Sequence, residues 1–204
     1  MTPGEPRTRA AQVLLVCTAN QCRSPLAGAV LSAAVKARSI DVEVETAGLA
    51  GEGMPATDLT MTMAERRGLD LTNHRSGELS PDLLASADLI LGMERLHVRE
   101  AVVAVPSTWP RAFTLKEFVR RAGPVGARPR GEPLVTWIAR VHEGRERSDL
   151  LGASSVDDLA DPTGGTVAEH EDTVEELEAL LAQVVQLAWP DPPGPEPRLA
   201  PSES

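Results

Sequence analysis

Hydrophobic and polar positions along this chain alternate between two periods. Gln12 to Cys17 is a short run of branched apolar residues, Val13-Leu14-Leu15-Val16, the pattern of a strand buried on both faces. Pro25–Arg38 places Leu26, Ala29, Val30, Ala33 and Ala34 at helical spacing. Val42–Thr46 reads as a second strand, and Thr57–Arg67 as a helix closed by Gly68. Ser80-Pro81 opens a short helix to Ser86. Asp88–Met93 is a strand, Glu94–Val105 a helix, and Ala112–Leu115 a fourth strand leading into a helical turn through Val119. Gly123–Pro133 reads as a loop and Leu134–Glu143 as a helix. Thr166–Leu187 is the last helix, with Val174, Leu177, Leu180, Leu181 and Val184 on one side. Strands alternating with helices predict an α/β fold: a single doubly wound domain, with a four-stranded parallel sheet covered by helices on both faces. That domain is expected over 12–189. Residues 1–11 read as a flexible N-terminus and the Pro-rich stretch 190–204 as a disordered tail.

Ligands in such sheets lie at the carboxyl ends of the strands. Cys17 ends the first strand, and the chain continues Thr18-Ala19-Asn20-Gln21-Cys22-Arg23-Ser24-Pro25. A loop of this length between strand and helix can curl its N–H groups inward around an anion. The helix beginning near Ser24 adds its positive end, and Arg23 can grip two phosphate oxygens through its planar fork. The same surroundings favour the thiolate, the nucleophilic form of cysteine. The predicted feature is a phosphate-binding loop after the first strand, built from Thr18, Ala19, Asn20, Gln21, Cys22, Arg23 and Ser24 over the nucleophile Cys17. A thiolate attack also needs a proton donor for the leaving group. Asp161, in Asp161-Pro162-Thr163-Gly164-Gly165 just before the last helix, can fill that role from a tight loop.

Composition narrows the class. The chain has 204 residues and is 42% hydrophobic, enough for one sizeable core. No apolar run approaches the roughly 20 residues that span a bilayer, and residues 1–12 lack the pattern of a secretory signal. Both of the two cysteines lie in the loop, which argues against a disulfide scaffold or a zinc site and fits a reducing cytoplasm. A net charge of −10 disfavours nonspecific nucleic-acid binding. Within this acidic chain, Arg111 to Arg147 carries nine basic residues against four acidic ones. The plain reading of that island is a solvated helix and loop. The sharper one is a rim that attracts anionic substrates.

The strand, the loop Cys17 to Pro25 and the late Asp161-Pro162 together resemble the low-molecular-weight protein tyrosine phosphatase family. Thr46-Ala47-Gly48, His74-Arg75 and Ala87-Asp88-Leu89-Ile90-Leu91-Gly92-Met93 extend the resemblance from Val13 to Leu187, with an insertion at about 120–160. It implies Cys17 as nucleophile, Arg23 as phosphate ligand and Asp161 as general acid, with no cofactor and no metal. It also implies that Asn20, Ser24, Thr46 and His74 support the loop, and that Cys22 can form a reversible disulfide with Cys17. Phe113-Thr114-Leu115-Lys116-Glu117-Phe118-Val119 and Asp161 to Gly165 look like a bacterial branch that contains protein-arginine phosphatases. The expected partner is a phosphorylated protein or peptide, with phosphotyrosine as the family default and phosphoarginine as the rival. Nucleic acid and membrane are not expected partners.

Departures from the family pattern are few. Ala19 replaces the usual glycine, which would cost about 1 kcal/mol if that position needs a positive φ. Thr163 stands where phosphotyrosine-directed members carry an aromatic, and the chain has no tyrosine. Leu49 and Met54 could supply an apolar wall instead. In the arginine-directed branch a threonine occupies the place of Gln21, and a bulkier aliphatic there favours phosphotyrosine; Gln21 is neither. Two other classes stay open: an arsenate reductase that borrows an external thiol, and a noncatalytic phosphate-binding module.

Overall fold

Val13 to Val16 form the centre of a strand, β1 (Ala11–Cys17), that is buried on both sides. It pairs in parallel with β2 (Val42–Gly48) on one edge and β3 (Leu89–Gly92) on the other; β3 in turn pairs in parallel with β4 (Ala112–Thr114). The sheet order is β2-β1-β3-β4. The helices are α1 (Arg23–Ala37), α2 (Asp58–Arg66), α3 (Pro81–Ser86), α4 (Arg95–Ala104), α5 (Leu115–Val125), α6 (Leu134–His142) and α7 (Val167–Ala188). This is a computed structural model, and it describes residues 9–50, 53–151 and 155–191. The stretches expected to be a flexible N-terminus and a disordered tail lie mostly outside the described residues. Ala11, the last residue of the first stretch, pairs with Val42.

Alternate side chains of the sheet enter two apolar layers, as the doubly wound prediction requires. Val13, Leu15, Leu89, Leu91 and Phe113 face α1, α5, α6 and α7, while Leu14, Val16, Ile90 and Ala112 pack with Leu84, Val98 and Trp109 on the other side. The chain turns from β1 to β2 on one side and to β3 on the other. The carboxyl end of β1 is therefore the topological switch point where such sheets bind ligands, and Cys17 stands there, 3% exposed.

Two expectations need correction. The helical turn ending at Val119 is a full helix, α5, that runs through Gly123 and Pro124 to Val125, so the loop begins only at Gly126. Burial of Phe118, Val119 and Ala122 along one stripe outweighs the poor helix propensity of the last turn. Gly126 N–H closes the helix on the carbonyls of Ala122 and Gly123.

The basic island is also not a free rim. Arg120 pairs with Asp157, Arg140 with Glu132, Lys116 with Glu176, and Arg121 donates to the carbonyls of Val141 and Glu143. Arg145 lies inside. Its side chain is 0% exposed, its guanidinium carbon sits 3.9 Å from the centre of Trp109 and 4.0 Å from that of Phe113, and it is paired with Glu117. Its remaining N–H groups go to the carbonyls of Trp109 and Ala112 and to His142 Nδ1. Planar stacking and a five-donor fork suit arginine to this site and would not suit lysine.

Removing one partner of a buried pair leaves an uncompensated charge, at a cost of about 3–5 kcal/mol. Arg145→Met is therefore expected to lose about that much stability in urea denaturation. The double variant Arg145→Met/Glu117→Leu should recover most of the loss. Equal stabilities of Arg145→Met and the parent would mean that the pair is solvated.

Candidate active site

The loop from Cys17 to Arg23 is held by its carbonyls. The Cys17 and Thr18 carbonyls accept from Leu49 N–H, and Thr18 also accepts from Ala50. The Asn20 carbonyl accepts from the His74 ring at 2.7 Å, and the Gln21 carbonyl from Thr57 N–H at 3.0 Å. Each of these bonds turns a carbonyl outward and the neighbouring N–H inward. None of the N–H groups from Thr18 to Ser24 donates to a described protein acceptor. Together with the first turn of α1, they form a concave run of unspent donors beside the Cys17 sulfur.

Asn20 makes the turn possible. Its φ is +52°, a left-handed conformation that asparagine tolerates better than most residues. Its side-chain oxygen accepts from Gly77 N–H and its amide donates to Ser24 Oγ, both at 2.9 Å. With one lone pair taken by Asn20, Ser24 has one proton to give. The Cys17 sulfur is its nearer acceptor at 2.9 Å, the Ala47 carbonyl the farther at 3.4 Å. Ala19 is not among the positive-φ residues, so the alanine brings no backbone strain. Gly48 is required for a different reason: a Cβ there would lie within 3 Å of backbone atoms of Thr18, Ala19 and Asn20.

Arg23 is 2% exposed, and three of its five N–H donors are paired. One terminal nitrogen donates to Glu94 at 2.5 Å and to the Leu159 carbonyl at 3.1 Å; the other donates to Asp161 at 2.6 Å. The acid loop is docked by Leu159, whose N–H donates to the Met93 carbonyl at the end of β3. Burial raises the Asp161 pKa, but hydrogen bonds from Thr163 and the charge of Arg23 outweigh it, leaving the carboxyl below its ordinary value. His97, 0% exposed, accepts Glu94 N–H on Nδ1, so its proton sits on Nε2 and points at Thr18 Oγ at 3.1 Å. Burial, helped by Arg23, lowers its pKa to about 4.

The structure thus brings Cys17, Arg23, Asp161, Asn20, Ser24 and His74 together. Thr46 is the exception among the expected supports: its hydroxyl makes no hydrogen bond to the loop. The alternation of β2 aims it at α1, where its methyl lies so close to Gly28 that a Cβ there would be 2.5 Å away. Leu49 packs into the second apolar layer and Met54 is 51% exposed, so neither forms the wall of the site. A cavity of about 160 Å³ is lined instead by Cys17, Thr18, Gln21, Cys22, Arg23, Thr57, Asp161 and Thr163, with no aromatic side chain. Cys22 lies in that wall. Burial raises its thiol pKa, against a hydrogen bond with Thr60.

Sequence reasoning missed Glu94 and His97. Their spacing, three apart at the first turn after β3, was the available signal, because strand carboxyl ends supply ligand-side groups.

His97 binds its proton less readily in the folded chain than in the unfolded one. Its contribution is therefore present above the unfolded value of about 6.5 and is lost as pH falls toward 4. The stability gap between the parent and His97→Gln, measured by urea denaturation, should be widest near pH 7 and shrink across that window. A gap constant with pH would mean that His97 is not held neutral by its site.

Comparison with known proteins agrees with this geometry. The family model described as low molecular weight phosphotyrosine protein phosphatase matches residues 12–126. A protein-arginine-phosphatase of Bacillus subtilis is 28% identical over 175 residues, covering 85% of this chain and 94% of the relative. A protein-arginine-phosphatase of Geobacillus stearothermophilus is 33% identical over 69% of this chain and 93% of its own. The crystal structure of a low molecular weight protein tyrosine phosphatase from T. tengcongensis superposes with a TM-score of 0.66 at 30% identity, covering 87% of this chain and 99% of that one. With its sheet order, its N–H cradle and its match over more than half its length, the chain belongs to the low molecular weight phosphotyrosine protein phosphatase family.

Proposed function

We propose that this chain is a cysteine-dependent protein phosphatase whose preferred substrate is phosphoarginine in a protein or peptide. The observation that carries the chemistry is the run of unspent N–H groups from Thr18 to Ser24 beside the Cys17 sulfur. Those groups and Arg23 hold the phosphoryl oxygens. The Cys17 thiolate attacks phosphorus in line, and the bond from phosphorus to the leaving nitrogen breaks as Asp161 supplies a proton to that nitrogen. Water then attacks the phosphocysteine, Asp161 takes its proton, and the S–P bond breaks to release phosphate. Ser24 donates to the departing sulfur in this second step.

The leaving-group preference rests on the wall. A phosphotyrosine ring gains about 0.5–1.5 kcal/mol from each aromatic partner beyond simple burial, and no aromatic lines this cavity. The lining surface is mostly apolar, but Thr57, Gln21, Thr163 and Asp161 bring a few hydrogen-bonding atoms to it, which can meet the N–H donors of a guanidinium leaving group. The relatives named protein-arginine-phosphatase, matched over most of this chain, support the same reading. Phosphotyrosine is the second reading, supported by the family as a whole. A reducing cytoplasm suits a reactive thiol. Cys22, in the same loop, is proposed to trap oxidised Cys17 as a disulfide.

Parallel assays on phosphoarginine and phosphotyrosine peptides test the substrate. The expected ratio of kcat/KM favours phosphoarginine by at least about tenfold, roughly 1.4 kcal/mol of transition-state discrimination. Cys17→Ser should abolish both activities. A ratio favouring phosphotyrosine would reverse the assignment, and turnover by Cys17→Ser would sink the mechanism.

Asp161→Asn should slow hydrolysis of poor leaving groups by about 10²–10⁴-fold and that of activated aryl phosphates much less. Equal small losses on alkyl and activated aryl phosphates would make Asp161 a turn residue only.

A further inference from the structure

Arg23 is claimed by two carboxylates before any phosphoryl group arrives. Glu94 and the Leu159 carbonyl share one of its terminal nitrogens, and Asp161 holds the other at 2.6 Å. The groups facing Asp161 come from each element around it: Arg23 from the start of α1, Glu94 and His97 from the start of α4, Cys17 from the end of β1, Cys22 from the loop, and the carboxylates of Glu169, Asp172 and Glu176 from α7, which line a neighbouring cavity with it and add to the negative charge. Among the cavity-lining residues Arg23 is the sole cation. His97, buried and tied to Glu94 N–H through Nδ1, stays neutral above about pH 4. One guanidinium therefore faces two carboxylates, and a bound dianion would add two further negative charges. Repulsion of that size, in a partly buried site, is relieved most directly by binding a proton.

Glu94 and Asp161 differ in how firmly they hold Arg23. Glu94 shares its nitrogen with a fixed backbone carbonyl and is 28% exposed, whereas Asp161 sits on a loop at 42% exposure, open to solvent. We infer that the Arg23–Asp161 ion pair loads the general acid: a dianion seated on the loop draws the guanidinium nitrogen from Asp161, and the released carboxylate takes up one proton from solvent. Glu94 keeps the guanidinium in place during the exchange. The proton gained on binding is the one later given to the leaving atom. Until then the acid stays ionised. Binding and acid readiness are thus coupled through a single side chain, and a phosphoryl group of the wrong charge leaves the acid unloaded. The inference rests on the phosphatase reading for its purpose, but not for its test.

The test uses inorganic sulfate, a dianion that has no proton to gain above about pH 3, and the Cys17→Ser protein, whose remaining thiol, Cys22, is pushed up by burial and keeps its proton. Sulfate binding is followed by calorimetry in buffers of different ionisation enthalpy from about pH 7 down to 4.5. The expected result is uptake approaching one proton per sulfate at the acidic end. Linkage then requires the sulfate Kd to tighten by up to about tenfold per pH unit as uptake becomes complete. Cys17→Ser/Asp161→Asn should bind sulfate with no uptake and no pH dependence. Three results overturn the inference: no uptake when Asp161 is present, uptake that survives Asp161→Asn, or no sulfate binding at all. Because no turnover is involved, failure of the phosphatase reading shows separately, as absence of dephosphorylation by the unmodified chain.

Discussion

The site depends on a backbone constraint: a run of N–H groups must stay unpaired and face one point. Peptide N–H groups seek partners, and a short loop left alone would spend them on its own carbonyls. Here the carbonyls of Cys17, Thr18, Asn20 and Gln21 are bonded outward to Leu49, His74 and Thr57. The segment from β2 to α2, together with His74, works as an external frame that keeps the bowl open. Gly48 lets that frame approach to backbone contact, and the left-handed turn at Asn20 gives the loop its curvature.

The cradle supplies direction, and charge comes from elsewhere. Arg23 reaches the site from the first position of α1, and its partners arrive from the ends of β3 and the acid loop. The parallel sheet explains this convergence, since every strand delivers its carboxyl end to the same side. His97 adds a brace between α4 and the loop without adding charge, because burial keeps it neutral.

Much of this was legible in the residues. Cys17, Arg23 and Ser24 are local to one strand–loop–helix unit, so their order along the chain is nearly their order in space. Asp161 became legible only beside the Cys17 loop, which needs a proton donor, and His74 only through resemblance, since an Asp-Pro pair or a lone histidine is usually a turn. Thr46 misled because strand alternation, and not proximity in sequence to Ala47 and Gly48, decides where a side chain goes. Glu94 and His97 were hidden because their roles exist only once β3 lies beside β1. The length of α5 was obscured by Gly123 and Pro124, whose weak propensity yielded to the burial of Phe118 and Ala122. The basic island misled because a count of charges does not show that Arg145 would be sealed between two aromatic rings.

That sealing changes how the molecule meets its ligands. With Arg145 inside, and Arg120, Arg140 and Lys116 each matched to a carboxylate, four of the island's nine cations are cancelled, and the rest are outnumbered by the acidic groups of the chain. The net charge of −10 then dominates the far field. An anion approaching this protein is repelled until it reaches the mouth of the loop, and attraction begins only within a few ångströms, where the N–H groups and Arg23 act. Encounter with anionic partners should thus speed up as salt shortens the Debye length, about 10 Å at 0.1 M, the reverse of an electrostatically steered enzyme.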